Sequence, residues 1–226
     1  MKSFPEQQRE LFDKLEQGSV RATSIAMIRD YTRETRMCLT GIAFVPQSMR
    51  PEISARVIEP LRERDARQHY YPPESLHVTI QNVRRSSDPP RFTPDTVARA
   101  REVFRSVVPR HRRFSFELRG LFEMPASLSV RAYSDEALGD LVFDLRDSLR
   151  AAGIPDDKQY APGGAVFGNC TVCRFTRKPN AGFAAVVREL KQAPVGTFEV
   201  ADVSLKTTNA VCDSSVTAVI GRFPLQ

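Results

Sequence analysis

The stretch Leu76-His77-Val78-Thr79-Ile80 constrains this chain more than any other. Apolar and polar residues alternate with period two, the pattern of a strand with one buried face. Leu76, Val78 and Ile80 point towards a core, which leaves His77 and Thr79 side by side on the other face. An imidazole exchanges a proton near neutral pH, and a hydroxyl donates a hydrogen bond to a phosphoryl oxygen. The pair suits phosphate chemistry, although three residues alone also fit an ordinary surface histidine on an edge strand.

A second strand, Phe167 to Phe175, repeats the alternation. Asn169, Thr171 and Cys173 fall on one face, and Cys170 and Val172 on the other. Asn169-x-Thr171 stands where a second His-x-Thr would stand in a two-lobed, pseudo-symmetric protein. Cys170-x-x-Cys173 invites a metal or redox reading, but positions i and i+3 of a strand face opposite sides. Neither Cys38 nor Cys212 supplies a second such pair, so no metal site is expected.

On these residues the chain resembles the 2H phosphoesterase superfamily, the 2′-5′ RNA ligase-like proteins and cyclic phosphodiesterases. Members carry two His-x-Thr/Ser motifs on facing strands. Tyr71-Pro72-Pro73-Glu74-Ser75-Leu76-His77-Val78-Thr79 matches the family's approach to the first motif. Cys38 to Pro46 looks like its opening strand, and Gly120-Leu121-Phe122 with Leu128 to Tyr133 like its central hairpin. Phe198 to Lys206 followed by Thr217 to Leu225 resembles its closing hairpin. The resemblance spans about residues 37–226 and departs at one place: Asn169 replaces the second histidine.

Composition sets the bounds. A chain of 226 residues with 41% hydrophobic and 27% charged residues is an ordinary globular protein, large enough to bury a core without staples. No apolar run is long enough for a transmembrane helix, and residues 1–18 have no apolar signal region. Four cysteines in this length are no disulfide framework, so the cytoplasm is the expected compartment. The net charge of +6 and clusters at Arg62/Arg64, Arg84-Arg85 and Arg110-His111-Arg112-Arg113 suit an anionic partner such as RNA, or a solvated face.

Read in order, residues 4–17 form an amphipathic helix on Leu11, Phe12 and Leu15, stopped at Gly18. Residues 20–35 form a second helix with Ile25, Ile28 and Tyr31 on one stripe. Residues 1–36 thus make a helical extension, packed on the domain or used for self-association, and residues 37–226 the phosphoesterase-like domain. Helices are expected from Pro51 to Arg64, Thr93 or Asp95 to Val108, Asp135 to Ala152 and Asn180 to Gln192, with a short strand from His69 to Tyr71. The expected architecture is α+β: two lobes whose antiparallel sheets line a central cleft, with helices outside.

The resemblance implies that one histidine acts as general base and the other as general acid, with the motif hydroxyls gripping the phosphate and no cofactor or metal. His77 can fill one role, but the Asn169 amide does not titrate near neutral pH. Losing one general acid or base costs about 10²–10⁴-fold in rate. The site is therefore expected at His77, Thr79, Asn169 and Thr171. Lys206 and Arg131 are candidate cations for the substrate, although each alone reads as a surface charge. Lys158 and Tyr160 in the loop before the second motif, and Tyr71 as a stacking surface, complete the set. Strand parity puts Arg174 off the Asn169 face, in a structural role. His69 and His111 lie on no matching strand face. Three functions remain open: a weak or altered phosphodiesterase acting on a 2′,3′-cyclic phosphate or 2′-5′ linkage, a catalytically inactive nucleotide- or RNA-binding module, and a structural protein using its N-terminal helices. No membrane partner is expected.

Overall fold

The computed structural model describes residues 2–19, 25–157 and 166–226. Lys158 and Tyr160 lie outside them, as does the start of the expected second helix. Helix α1, Phe4–Glu16, begins with a capping box in which Ser3 and Glu6 satisfy each other's backbone groups. Beyond Gly18 the second helix does not form over residues 25–35: only a single 3-10 turn, Tyr31–Arg33, is present. The stripe that suggested it serves otherwise, with Tyr31 buried by its ring and Ile28 packed at the core edge.

Nine strands of the described residues form one antiparallel sheet. They are β1 Met37–Phe44, β2 His69–Tyr70, β3 His77–Ser87, β4 Phe114–Met124, β5 Ser127–Tyr133, β6 Gly168–Arg174, β7 Pro194–Val200, β8 Asp202–Asn209 and β9 Ala218–Pro224. Their order is β7-β4-β5-β6-β3-β1-β8-β9, with β2 paired to the end of β6. The two lobes are the halves β3-β1-β8-β9 and β6-β5-β4-β7, joined where Val78 pairs Cys170. The sheet curls with its helices outside. The stretch 198–206 is not one strand: it breaks at Ala201, and β7 closes one edge of the sheet while β8 crosses to β1 in the other half.

Helices α2 Arg50–Ile53 and α3 Glu59–Arg64 are joined by a π segment, Ser54–Ile58, so residues 50–64 run as one helix with Ile53, Val57, Ile58 and Leu61 buried. Helices α4 Pro94–Val107, α5 Glu136–Ala151 and α6 Ala181–Glu189 start at Thr93, Asp135 and Asn180, whose side chains accept from the first-turn amides. Their apolar faces meet the convex side of the sheet in one core with Leu76, Val78, Cys170 and Val172. Gly168 lets the halves close up, because a Cβ there would lie 2.9 Å from Val78 and 2.8 Å from Phe116.

The concave side carries the polar residues and a second, smaller apolar cluster. Phe12 of α1 is fully buried there against Phe122, Tyr133 and Phe167, at ring separations of 5.3, 5.5 and 5.3 Å. Gln8, also buried, fixes the helix by donating to the Val166 carbonyl and accepting from the Ser134 amide. The apolar stripe of α1 is therefore used within the chain.

Candidate active site

The register of the central strands assembles the motif residues. Around the Val78 and Cys170 pair, antiparallel geometry sets His77 beside Thr171 and Thr79 beside Asn169. All four side chains are half-buried on the concave face, while Val78 and Cys170 beneath them are fully buried. The His77 ring is held by a 2.7 Å hydrogen bond from Nδ1 to the Ser75 carbonyl. A carbonyl only accepts, so Nδ1 carries the proton and Nε2 is the nitrogen left to take or give one.

Asn169 makes a closed hydrogen-bonded set with its neighbours. Its amide donates to Ser129 Oγ at 3.0 Å and to Thr171 Oγ1 at 3.5 Å, and the two hydroxyls are 3.2 Å apart. Ser129 is fully buried on β5 and was not among the residues expected from sequence. Its signal was present in the alternation of Ser127, Ser129, Arg131 and Tyr133 against Leu128, Val130 and Ala132.

The two candidate cations are not surface charges, and they differ in state. Arg131 pairs across the strands with Asn169, is 1% exposed, and donates to Glu16 of α1 at 2.7 Å, with the Phe12 ring 5.5 Å from its guanidinium. Its charge is spent inside the protein. Lys206 is also 1% exposed, on β8 opposite Thr40. Its ammonium sits 5.0 Å over the Phe44 ring and makes no hydrogen bond or ion pair among the described residues.

Arg174 corrects the parity argument. Ser129 pairs Thr171 but Leu128 pairs Cys173, a β-bulge at Val172-Cys173. One extra residue reverses the alternation. Cys173 turns into the core beside Cys170, and Arg174 turns to the face of Asn169 and Thr171, where Nε donates to Tyr71 Oη at 3.0 Å. Tyr71 is thereby excluded as a stacking surface. It is 1% exposed, its hydroxyl also donates to the Ala210 carbonyl, and burial pushes its phenol up. His69 pairs Arg174 and so lies towards the same face, contrary to the sequence reading. Burial, and then Arg174, hold its pKa down. His111 has a separate role, bonded to Asp144 at 3.0 Å.

The sequence reading also missed Cys212, whose Sγ lies 3.7 Å from His77 Nε2. No motif spacing marks it; a turn after β8 brings it there. Among the described residues no cluster of His, Cys, Asp or Glu is placed to hold a metal ion, and no helix is long and apolar enough to cross a membrane. The basic cluster at 110–113 is largely paired, Arg110 with Asp144, Arg112 with Asp135 and Arg113 with Glu199.

No protein-family model matches the sequence, and no curated protein matches it. Solved structures do. A phosphoesterase crystal structure superposes with a TM-score of 0.59 at 11% identity, over 85% of this chain and 99% of that one. A protein from Thermus thermophilus gives 0.59 at 17% identity, over 84% and 97%. Escherichia coli LigT complexed with 3′-AMP gives 0.55 at 13% identity, over 85% and 99%. LigT has also been solved with NADP+, ATP and phosphate. At these identities the likeness is one of fold, and the fold is that of the LigT-like 2H phosphoesterases.

Proposed function

We propose that this chain is a 2H phosphoesterase-like protein that engages a nucleotide or RNA terminus at its phosphodiester, with hydrolysis carried by His77 alone. One observation supports this above the others: His77, Thr79, Asn169 and Thr171 share a concave face, with the Ser75 clamp on Nδ1 leaving Nε2 as the nitrogen that exchanges a proton. Opening a 2′,3′-cyclic phosphate needs one proton taken from water and one given to the leaving ribose oxygen. His77 serves one transfer, and water must serve the other. Thr79, Thr171 and the Asn169 amide hold the phosphate oxygens. Lys206, paired with no carboxylate among the described residues, supplies the charge. The nucleotides and phosphate seen on LigT give the class of ligand to try first.

A second reading, a binding module without turnover, is favoured by the Asn169 half of the site. There the side chain cannot titrate and the Arg131 charge is neutralised by Glu16. One experiment separates the two. Purified protein is incubated with 2′,3′-cyclic nucleotides, and melting is followed with and without nucleotide. Slow hydrolysis that falls about 10²–10⁴-fold in His77→Ala supports the phosphodiesterase. A raised Tm with no turnover leaves the binding module, and neither effect sinks both.

A further inference from the structure

Cys212 has no part in the reaction above, yet it is built into the cleft. Asn209 closes the turn after β8, accepting from the Val211 and Asp213 amides through Oδ1 at 3.3 and 3.0 Å. Cys212 in that turn has φ +56°, the left-handed region that costs a residue with a Cβ about 1–2 kcal/mol. The turn holds Sγ 3.7 Å from His77 Nε2. Because Nδ1 is committed to Ser75, Nε2 is the nitrogen that shares a proton with the sulfur.

The electrostatics ask for an anion at this place. Lys206 is 1% exposed and has no ion pair among the described residues. The hydroxyls of Thr40 and Ser204, on the same face, are buried without partners among the described residues. A buried ammonium is costly unless an opposite charge faces it. No carboxylate pairs with His77, Lys206 or Arg174 among the described residues, and the Asp213 carboxylate is turned to Ser215. Around Cys212 stand His77 from β3, Lys206 from β8 and Arg174 from β6, with the Tyr71 phenol held neutral beside Arg174. Burial alone would raise the Cys212 thiol, but the His77 ring at hydrogen-bond distance, Lys206 and Arg174 outweigh it and hold it well below the ordinary thiol range. In the core, burial pushes Cys170 up to about 12 and Cys173 higher still.

We propose that Cys212 rests as a thiolate paired with His77 and is a modification site in the cleft, a nucleophile whose substrates are small hydroperoxides. The thiolate sulfur attacks one peroxide oxygen; an S–O bond forms and the O–O bond breaks. The departing hydroxide takes the proton from His77 Nε2 and leaves as water. Sulfur is oxidised by two electrons to the sulfenic acid and the peroxide is reduced. Cys212 is 7% exposed, so its sulfur suits only a small oxidant. The chemistry holds whether or not the cleft turns over a phosphodiester.

The test treats the folded protein with hydrogen peroxide, traps sulfenic acid with dimedone, and reads each cysteine by peptide mass. In native protein the label appears on Cys212 and spares Cys170 and Cys173; Cys212→Ser abolishes it. The initial rate against pH has its midpoint below the ordinary thiol range. At pH 6.5 it exceeds that of the same thiol in urea-unfolded protein, because the thiolate gain outweighs the weaker nucleophilicity of a less basic thiolate. Lys206→Met moves the midpoint up and Lys206→Arg keeps it low; if either fails to fold, the wild-type profile decides. A midpoint in the ordinary thiol range, a native rate no faster than the unfolded one, or no label on Cys212 overturns the proposal.

Discussion

His77 and Asn169 stand at matching positions on the two central strands, and the surroundings of each follow the residue that is there. Around His77 the charge is left without a carboxylate: the ring is clamped by Ser75, the Cys212 sulfur faces Nε2, and Lys206 has no carboxylate partner among the described residues. Around Asn169 the charge is removed. Arg131 is bound by Glu16, the amide is bound by Ser129, and Phe12 lays an aromatic cover over Phe122, Tyr133 and Phe167. The asparagine is thus one part of a wider difference, in which one half of the cleft is an internal contact for α1. A neutral amide tolerates that cover, whereas an imidazole that must pick up a proton would be hindered by it.

The cover itself can be removed. Phe12 is fully buried in a cluster of four rings, and a Phe→Ala change in such a place costs about 3–5 kcal/mol. Phe12→Ala should lower the urea midpoint accordingly, at unchanged m-value. His77-dependent turnover per folded molecule should persist, because the ring touches only the Asn169 half. A loss below about 1 kcal/mol would mean that α1 lies loosely on the sheet and that the two halves differ less than their contacts suggest.

The next test restores chemical symmetry. Asn169→His returns a group that can move a proton to the strand position opposite Thr79, with Ser129 Oγ within reach of its ring. Hydrolysis of 2′,3′-cyclic nucleotides should rise about 10²-fold, the low end for one general acid or base. Adding His77→Ala should bring it back down, since a proton must be both taken and given. A wild-type protein that is already fast and is slowed by Asn169→His would show that another group fills the role.

Much of this comparison was legible in the sequence, and the failures have physical causes. Strict alternation placed His77, Thr79, Asn169 and Thr171 on one face, because period two leaves a short strand few choices. Alternation failed at Val172-Cys173, where a bulge reversed Arg174 and Cys173; a bulge depends on the partner strand and leaves no local signal here. Lys206 and Arg131 read as surface charges because residue type predicts exposure, and only the curl of the sheet and the placement of α1 bury them. Cys212 was invisible for the same reason, since its position depends on a turn crossing back to Ser75 and Tyr71. Over residues 25–35 the expected second helix was an error of weak periodicity, in a stretch where single residues such as Tyr31 anchor irregular backbone.

The smallest expected effect tests whether the Asn169 half still has a latent anion site. Glu16 is 22% exposed at its side chain and Arg131 only 2%, so Glu16→Gln leaves a buried guanidinium with a weaker, neutral acceptor. A fully buried pair would lose more, but partial exposure of Glu16 brings the expected loss to about 1–3 kcal/mol. The pair is also a lock: Arg131 pairs with Asn169 in register, and its charge faces the cleft once the carboxylate is gone. Inorganic phosphate should therefore raise the Tm of Glu16→Gln more than that of wild type, recovering part of the loss. Lys191 lies 3.4 Å from Glu16 and is the control, because Lys191→Met keeps the carboxylate on Arg131 and should give no such response. Should Glu16→Gln lose stability with no added response to phosphate, Arg131 is held by packing against Phe12, and the Asn169 half offers no anion site.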